Sequence, residues 1–192
     1  MSKGLITTLI VVGVLFILGA IIFAWGPGSY NNAVAKQEDL KAAWGNVQAM
    51  YQRRADLIPS LVATVKGAAE NEKSILVQVT QARAGIVNAT TPEELDRAGK
   101  QINTAINLAF EAYPQIRSTE NFADLQAQLE GTENRIAVAR ERYNEEVKNY
   151  NTYVRGFMTR IALSWFGGGE DWSAKKGFES SAGSEKAPEV KF

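Results

Sequence analysis

The residues best suited to do chemistry are three acidic pairs: Glu70 with Glu72, Glu93 with Glu94, and Glu145 with Glu146. Paired carboxylates can divide general acid and base roles or share a metal ion. Each of those uses needs partners. A di-iron site inside a helical bundle draws on Glu-x-x-His motifs, and this chain has no histidine. The same lack removes the commonest general base, the commonest metal ligand and the usual pH switch. Calcium or magnesium sites need acids clustered around a sharp glycine turn, a pattern absent from the sequence. Lys66-Gly67 follows no phosphate-binding loop, and the serines have no base partner. The pairs therefore read as solvated helix faces and caps. The expectation is a protein that is not an enzyme, with no catalytic residue, cofactor, metal or small-molecule substrate.

Two other groups stand out. Arg53, Arg54 and Asp56 sit beside Pro59, where one helix gives way to the next. Glu133, Arg135 and Arg140 fall on a later helix that an up-and-down bundle brings to the same end. Together they read as an ion-paired network that fixes helix register, or as a partner-binding patch at the bundle tip. The second group is apolar: Tyr153, Phe157, Ile161, Trp165 and Phe166, with Arg155 and Arg160 among them and Phe192 at the terminus.

The elements that must position these residues are helical. Val34, Leu40, Trp44, Val47 and Tyr51 step by three or four, the stripe of an amphipathic helix. Leu61, Val62, Val65, Ala69, Ile75, Leu76, Val79 and Ile86 carry a second helix, with Pro59 in its first turn. Thr91-Pro92-Glu93-Glu94 places Thr at an N-cap, Pro at the first helical position and Glu at the third, a capping box. The third stripe follows as Leu95, Ala98, Ile102, Ala105, Ala109 and Tyr113, and stops at Pro114. Ser118 can cap the fourth, whose stripe runs from Phe122 through Leu125, Leu129, Ile136, Tyr143, Val147, Tyr150 and Val154 to Phe157. Strand-like alternation is absent. The fold expected is all-α, an antiparallel up-and-down four-helix bundle; the alternative is three long helices with the first kinked at Pro59.

Ahead of the bundle, residues 5–25 form a run of 21 without a charge. As a helix it is roughly 31 Å long, about the hydrocarbon thickness of a bilayer, and Trp25 suits the headgroup level at its end. A cleaved signal has a shorter apolar core and a small-x-small site. The best match, Ala24-Trp25-Gly26, is followed by Pro27, so a retained anchor is the expectation. Gly26-Pro27-Gly28-Ser29 is expected to break that anchor from the bundle. The domains expected are 1–29 as anchor and hinge, 30–166 as bundle, and 167–192 as a Gly/Ser-rich tail docked on it. Lys3 and the amino terminus favour a cytoplasmic N-terminus, which puts the domain outside the cytoplasm. The chain has 21 basic and 21 acidic residues, which gives no field to attract nucleic acid. It has no cysteine, hence no disulfide.

Gln52-Arg53-Arg54-Ala55-Asp56-Leu57-Ile58-Pro59-Ser60-Leu61-Val62 and Thr64-Val65-Lys66-Gly67 resemble the signature of the LemA family. So do Glu111-Ala112-Tyr113-Pro114, Asn121-Phe122, Glu133-Asn134-Arg135-Ile136, Arg140, Tyr143-Asn144, Tyr150-Asn151 and the terminal Ala187-Pro188-Glu189-Val190-Lys191-Phe192. Departures are mild: Ser60 stands where Asn is common, Asn71 where His is common, and Met158 where Pro is common. The resemblance implies a helical bundle anchored in a bacterial inner membrane, without established enzymatic activity. The function expected is a self-assembling scaffold that organises or shapes membrane. The alternative is an adaptor presenting the bundle to a membrane protease or signalling protein. Its partners would be lipid, further copies of itself in a homo-oligomer, or another membrane protein.

A fourth helix over 118–166 would be roughly 72 Å long against roughly 40 Å for the first. Residues from Tyr150 to Phe166 should then overhang the bundle and seek cover from lipid or a second subunit. Alkaline carbonate extraction tests the anchor: the full-length chain is expected in the membrane pellet, whereas release to the supernatant, or a mature terminus near Ser29, would refute it.

Overall fold

The computed structural model describes residues 3–66, 73–112 and 120–179. Glu70, Glu72, Tyr113, Pro114, Ser118 and Phe192 lie outside the described residues. Among those described, six helices and no strand occur: α1 (Lys3–Ala55), α2 (Ile58–Lys66), α3 (Lys73–Asn88), α4 (Pro92–Ala112), α5 (Glu120–Arg155) and α6 (Phe157–Phe166). The all-α expectation is met, with one N-terminal helix long and apolar enough to cross a membrane.

The chain divides into two compact units, Met1–Ala42 with Glu145–Lys175, and Ala43–Asn144 with Lys176–Phe192. α1 and α5 each contribute to both.

In the first unit the expected break at residues 26–29 does not occur. α1 runs straight through Pro27. A proline costs a helix one hydrogen bond and crowds the carbonyl four residues back, but a helix can continue through it where a neighbouring helix packs on the site. Here the neighbour is α6. Its Phe166 ring lies against Gly26, where a Cβ would collide with it, and 6.4 Å from the Phe23 ring. The apolar stretch before that point is uncovered, with none of its most apolar window buried and Phe16 77% exposed. Ala33, Leu40, Val147, Tyr150, Val154, Ala162 and Leu163 form this unit's buried apolar set.

The single long fourth helix is also corrected. Gly156 interrupts it: the Gly156 amide bonds back to the Tyr153 carbonyl at 3.1 Å, ψ swings to 136°, and the Gly156 carbonyl accepts from Arg160 to start α6. The spacing had carried Phe157 into the core stripe. After the break it is 78% exposed, because a change of axis rotates every later side chain. Nor does the segment overhang bare, since α6 buries Thr159, Ala162 and Leu163.

In the second unit Val47, Tyr51, Ala55, Ile58, Leu95, Ile102, Phe122, Leu125, Leu129 and Ile136 are buried, and α3 packs against α4. α1 ends at Ala55 with a two-residue turn, and Pro59 falls in the first turn of α2, where its missing amide costs nothing. The described residues of the expected second helix fall in α2 and α3. Gly99 leaves room for the Tyr51 ring, which a Cβ would approach to 2.6 Å.

The capping box at Thr91 forms as the spacing predicts. Thr91 Oγ1 accepts the Glu94 amide at 3.2 Å, and Glu94 Oε2 accepts the Thr90 amide (2.9 Å), the Thr90 hydroxyl (3.0 Å) and the Thr91 amide (3.2 Å). Those donors, Thr90's first, hold the Glu94 carboxyl below its ordinary range. Thr91→Ala is expected to destabilise the folded chain by about 1 kcal/mol, read by thermal or denaturant unfolding. Thr104→Ala, on an exposed face whose hydroxyl only bonds back to the Lys100 carbonyl, should change stability by less than about half that.

Candidate interaction site

The charge cluster anticipated around Arg53 is divided by the structure into separate pairs. Arg54, with 9% of its side chain exposed, pairs through Nη1 with Glu133 Oε2, whose side chain is 52% exposed. Burial pushes the Arg54 guanidinium below its usual range, though an arginine stays cationic. Its Nε is buried without a partner. Asp56 turns elsewhere, to Arg83 on α3 at 3.5 Å and to Gln52 at 2.9 Å. Arg53 and Arg135 are exposed.

Arg140 is the best-built member of the set. Its Nη1 lies 2.8 Å from Asp96 Oδ1 on α4, and its guanidinium stacks 4.6 Å from the Phe178 ring centre. Nη2 reaches the Glu179 carbonyl at 3.4 Å. The Tyr51 phenol faces it as well; burial raises that phenol above its ordinary range, and the Arg140 charge opposes the rise.

Around Arg140 the C-terminal segment is held by its backbone. Asn144 takes both backbone groups of Phe178, accepting its amide at Oδ1 (2.7 Å) and donating Nδ2 to its carbonyl (3.0 Å). Tyr143 donates its hydroxyl to the Lys176 carbonyl at 3.2 Å. Gly177 allows the approach, since a Cβ there would come within 2.5 Å of Asn144 Oδ1. Phe178 is buried between Tyr143, edge-on at 5.6 Å, and Trp44, stacked at 6.0 Å. Such ring pairs add to their area burial.

In the first unit Asn151 does to Lys175 what Asn144 does to Phe178, with two bonds of 2.8 Å each. Asp171 accepts from Lys175 Nζ and from the Ser173 hydroxyl and amide. Lys175 above all holds the Asp171 carboxyl down at about 2. Tyr30 packs edge-on to Trp172 at 5.8 Å, and Tyr153 donates its hydroxyl to the Ser29 carbonyl at 3.2 Å.

Of the anticipated apolar set, Tyr153 and Phe166 turn toward α1, Ile161 is half-exposed, and Phe157 and Trp165 face outward. Asp96, Trp44, Asn144, Asn151 and Phe178 were not singled out for this role. The signal was present, because Tyr-Asn recurs after seven residues at Tyr143-Asn144 and Tyr150-Asn151. That spacing returns both amides to one helix face. Among the described residues no group of three or more acidic side chains is placed to hold a metal.

These features define an all-α protein with a membrane-length N-terminal helix and a strapped C-terminal segment. The model of the LemA family matches residues 43–192, and the chain belongs to that family. It is 24% identical to Protein LemA of Metamycoplasma hominis over 142 residues, covering 72% of this chain and 62% of the relative. It is 27% identical to the magnetosome proteins MamQ 1 and MamQ 2 of Paramagnetospirillum magneticum over 183 residues, covering 80% of this chain and 66% of each relative. The chain thus spans somewhat less than two thirds of the length of these relatives.

The Arg54–Glu133 pair is expected to respond unequally to the loss of either partner. Glu133→Ala strands a buried guanidinium, so about 1–3 kcal/mol should be lost. Arg54→Met leaves a carboxylate that water already reaches and keeps the packing, so the loss should be the smaller of the two. Denaturant unfolding of both variants measures the difference.

Proposed function

We propose that this protein is a membrane-anchored, non-enzymatic scaffold that self-assembles and organises or shapes membrane. The observation that carries the reading is the unbroken course of α1 through Pro27, with Phe166 and Tyr153 packed on it. The anchor is built into a folded unit instead of hanging from a flexible linker. A rigid mount fixes the angle at which a domain leaves the bilayer, and a lattice or ring of copies needs that angle to be constant. A freely diffusing enzyme or tethered receptor does not. That two relatives are named magnetosome proteins supports an assembly role. In this reading the helices after the anchor form an up-and-down bundle on the non-cytoplasmic face of a bacterial inner membrane. The single basic residue ahead of the span, Lys3, is the reason for that orientation.

An adaptor role is the second reading, and one observation favours it. Asn144 grips peptide backbone and the Trp44–Tyr143–Arg140 surface takes one aromatic side chain. That arrangement suits a short extended segment of a partner as well as the chain's own tail.

Extraction of the full-length protein into lipid nanodiscs, followed by native mass measurement, separates the two. Homo-oligomers of defined size are expected for the scaffold. One copy held with a stoichiometric heterologous protein would establish the adaptor instead, and a partnerless monomer would refute both.

A further inference from the structure

α6 has two apolar faces, and the protein covers only one. Thr159, Ala162 and Leu163 are buried, and Phe166 lies against Phe23 and Gly26 of α1. On the opposite side Phe157, Ile161 and Trp165 recur at intervals of four, with Met158 beside them, so they share one stripe of the helix. Phe157 is 78%, Trp165 71% and Met158 50% exposed. Ten residues carrying two apolar faces need a second cover.

The place of α6 along α1 says what that cover is. Tyr153, just before the Gly156 break, bonds to the Ser29 carbonyl, and its ring lies under Lys36. Phe166, at the far end, meets Phe23 and Gly26. The contacts at its two ends, Ser29 and Phe23–Gly26, are three to six residues of α1 apart, about 5–9 Å, so α6 stays close to the level at which the apolar run of α1 gives way. Trp165 is the chain neighbour of Phe166 and is exposed, and indole rings are favoured at a bilayer boundary. Arg155 and Arg160 flank the stripe and are exposed; their long stems can lie on apolar surface with the charges at phosphate level.

We propose that α6 is an interfacial helix, which lays Phe157, Met158, Ile161 and Trp165 into the headgroup–acyl boundary of the bilayer that α1 crosses. It is a second, monotopic contact that adds to the anchor and clamps the angle of the first unit against the membrane. It rests on the reading of α1 as a membrane span, and the test keeps the two apart.

The chain has no cysteine, so Phe157→Cys, Trp165→Cys and Phe16→Cys each give a unique labelling site in the full-length protein. The replaced side chains at Phe157, Trp165 and Phe16 are all exposed, so folding should survive; helicity by circular dichroism checks it. Each variant carries an environment-sensitive fluorophore in nanodiscs of phosphatidylcholine and phosphatidylglycerol. Quenching by nitroxide placed shallow on the acyl chain is compared with quenching by aqueous iodide. Labels at positions 157 and 165 should lose at least about half their emission to the shallow nitroxide and little to iodide, as a helix seated ~5–10 Å into the boundary requires. The label at 16 should respond to nitroxide deep in the chain. Iodide quenching at 157 and 165 with deep quenching kept at 16 overturns the inference and leaves the anchor standing. Shielding of 157 and 165 from both quenchers, with oxidation of Phe157→Cys giving cross-linked dimers, assigns the face to a second copy and overturns it too. Failure at 16 as well removes the anchor, and the inference falls with it.

Discussion

The half-buried guanidinium of Arg140 is the point at which most elements of the second unit meet. A planar cation with five donors is costly to place beside buried rings unless most of those donors find partners. Asp96 neutralises it from α4, the Glu179 carbonyl accepts from it, Tyr51 faces it from α1, and the Phe178 ring covers its face. One side chain thus ties α1, α4, α5 and the C-terminal segment into a single arrangement. Lysine could neutralise Asp96, but it offers neither the flat stacking surface for Phe178 nor several directed donors at once.

Capture of the tail depends on a second piece of chemistry. A side-chain amide carries a donor and an acceptor side by side, the complement of a peptide group in extended conformation. Asn144 and Asn151 use both. Such bonds are indifferent to the sequence they hold, so selectivity falls to the aromatic pocket around Phe178 and to the close approach at Gly177. A Gly-, Ser- and Lys-rich segment with the composition of a linker is held at Lys175, Lys176 and Phe178 because its backbone there is satisfied by side chains from a helix.

In the first unit the governing constraint is different. A helix through Pro27 gives up one backbone bond, and Gly26 gives up side-chain packing; together they admit the Phe166 ring to the helix surface. The result is a helix of membrane-crossing length that is also a structural member of a folded unit.

Much of this could be read directly from the chain. The uncharged run, the helical stripes from Leu95 to Ala109 and from Phe122 to Val154, and the Thr91 capping box are local patterns, and local patterns follow from periodicity and backbone bonding alone. Helix ends were less legible: Gly26-Pro27 looked like a break and Gly156 did not, yet the chain runs through the first and turns at the second. The difference lies in what packs against each site. Phe166 fills the space over Gly26, whereas Gly156 frees the chain to swing α6 onto α1. Partner choice was legible only for Arg54, whose pairing with Glu133 lies within the anticipated cluster. For the others, like and unlike charges in a sequence do not say which meet, and Asp56 and Arg140 found Arg83 and Asp96. Sequence fixes which groups carry a charge or a polar atom that needs a partner, because side-chain chemistry is a local property. Only tertiary structure decides which partner each obtains, because that depends on the register between elements distant in the chain.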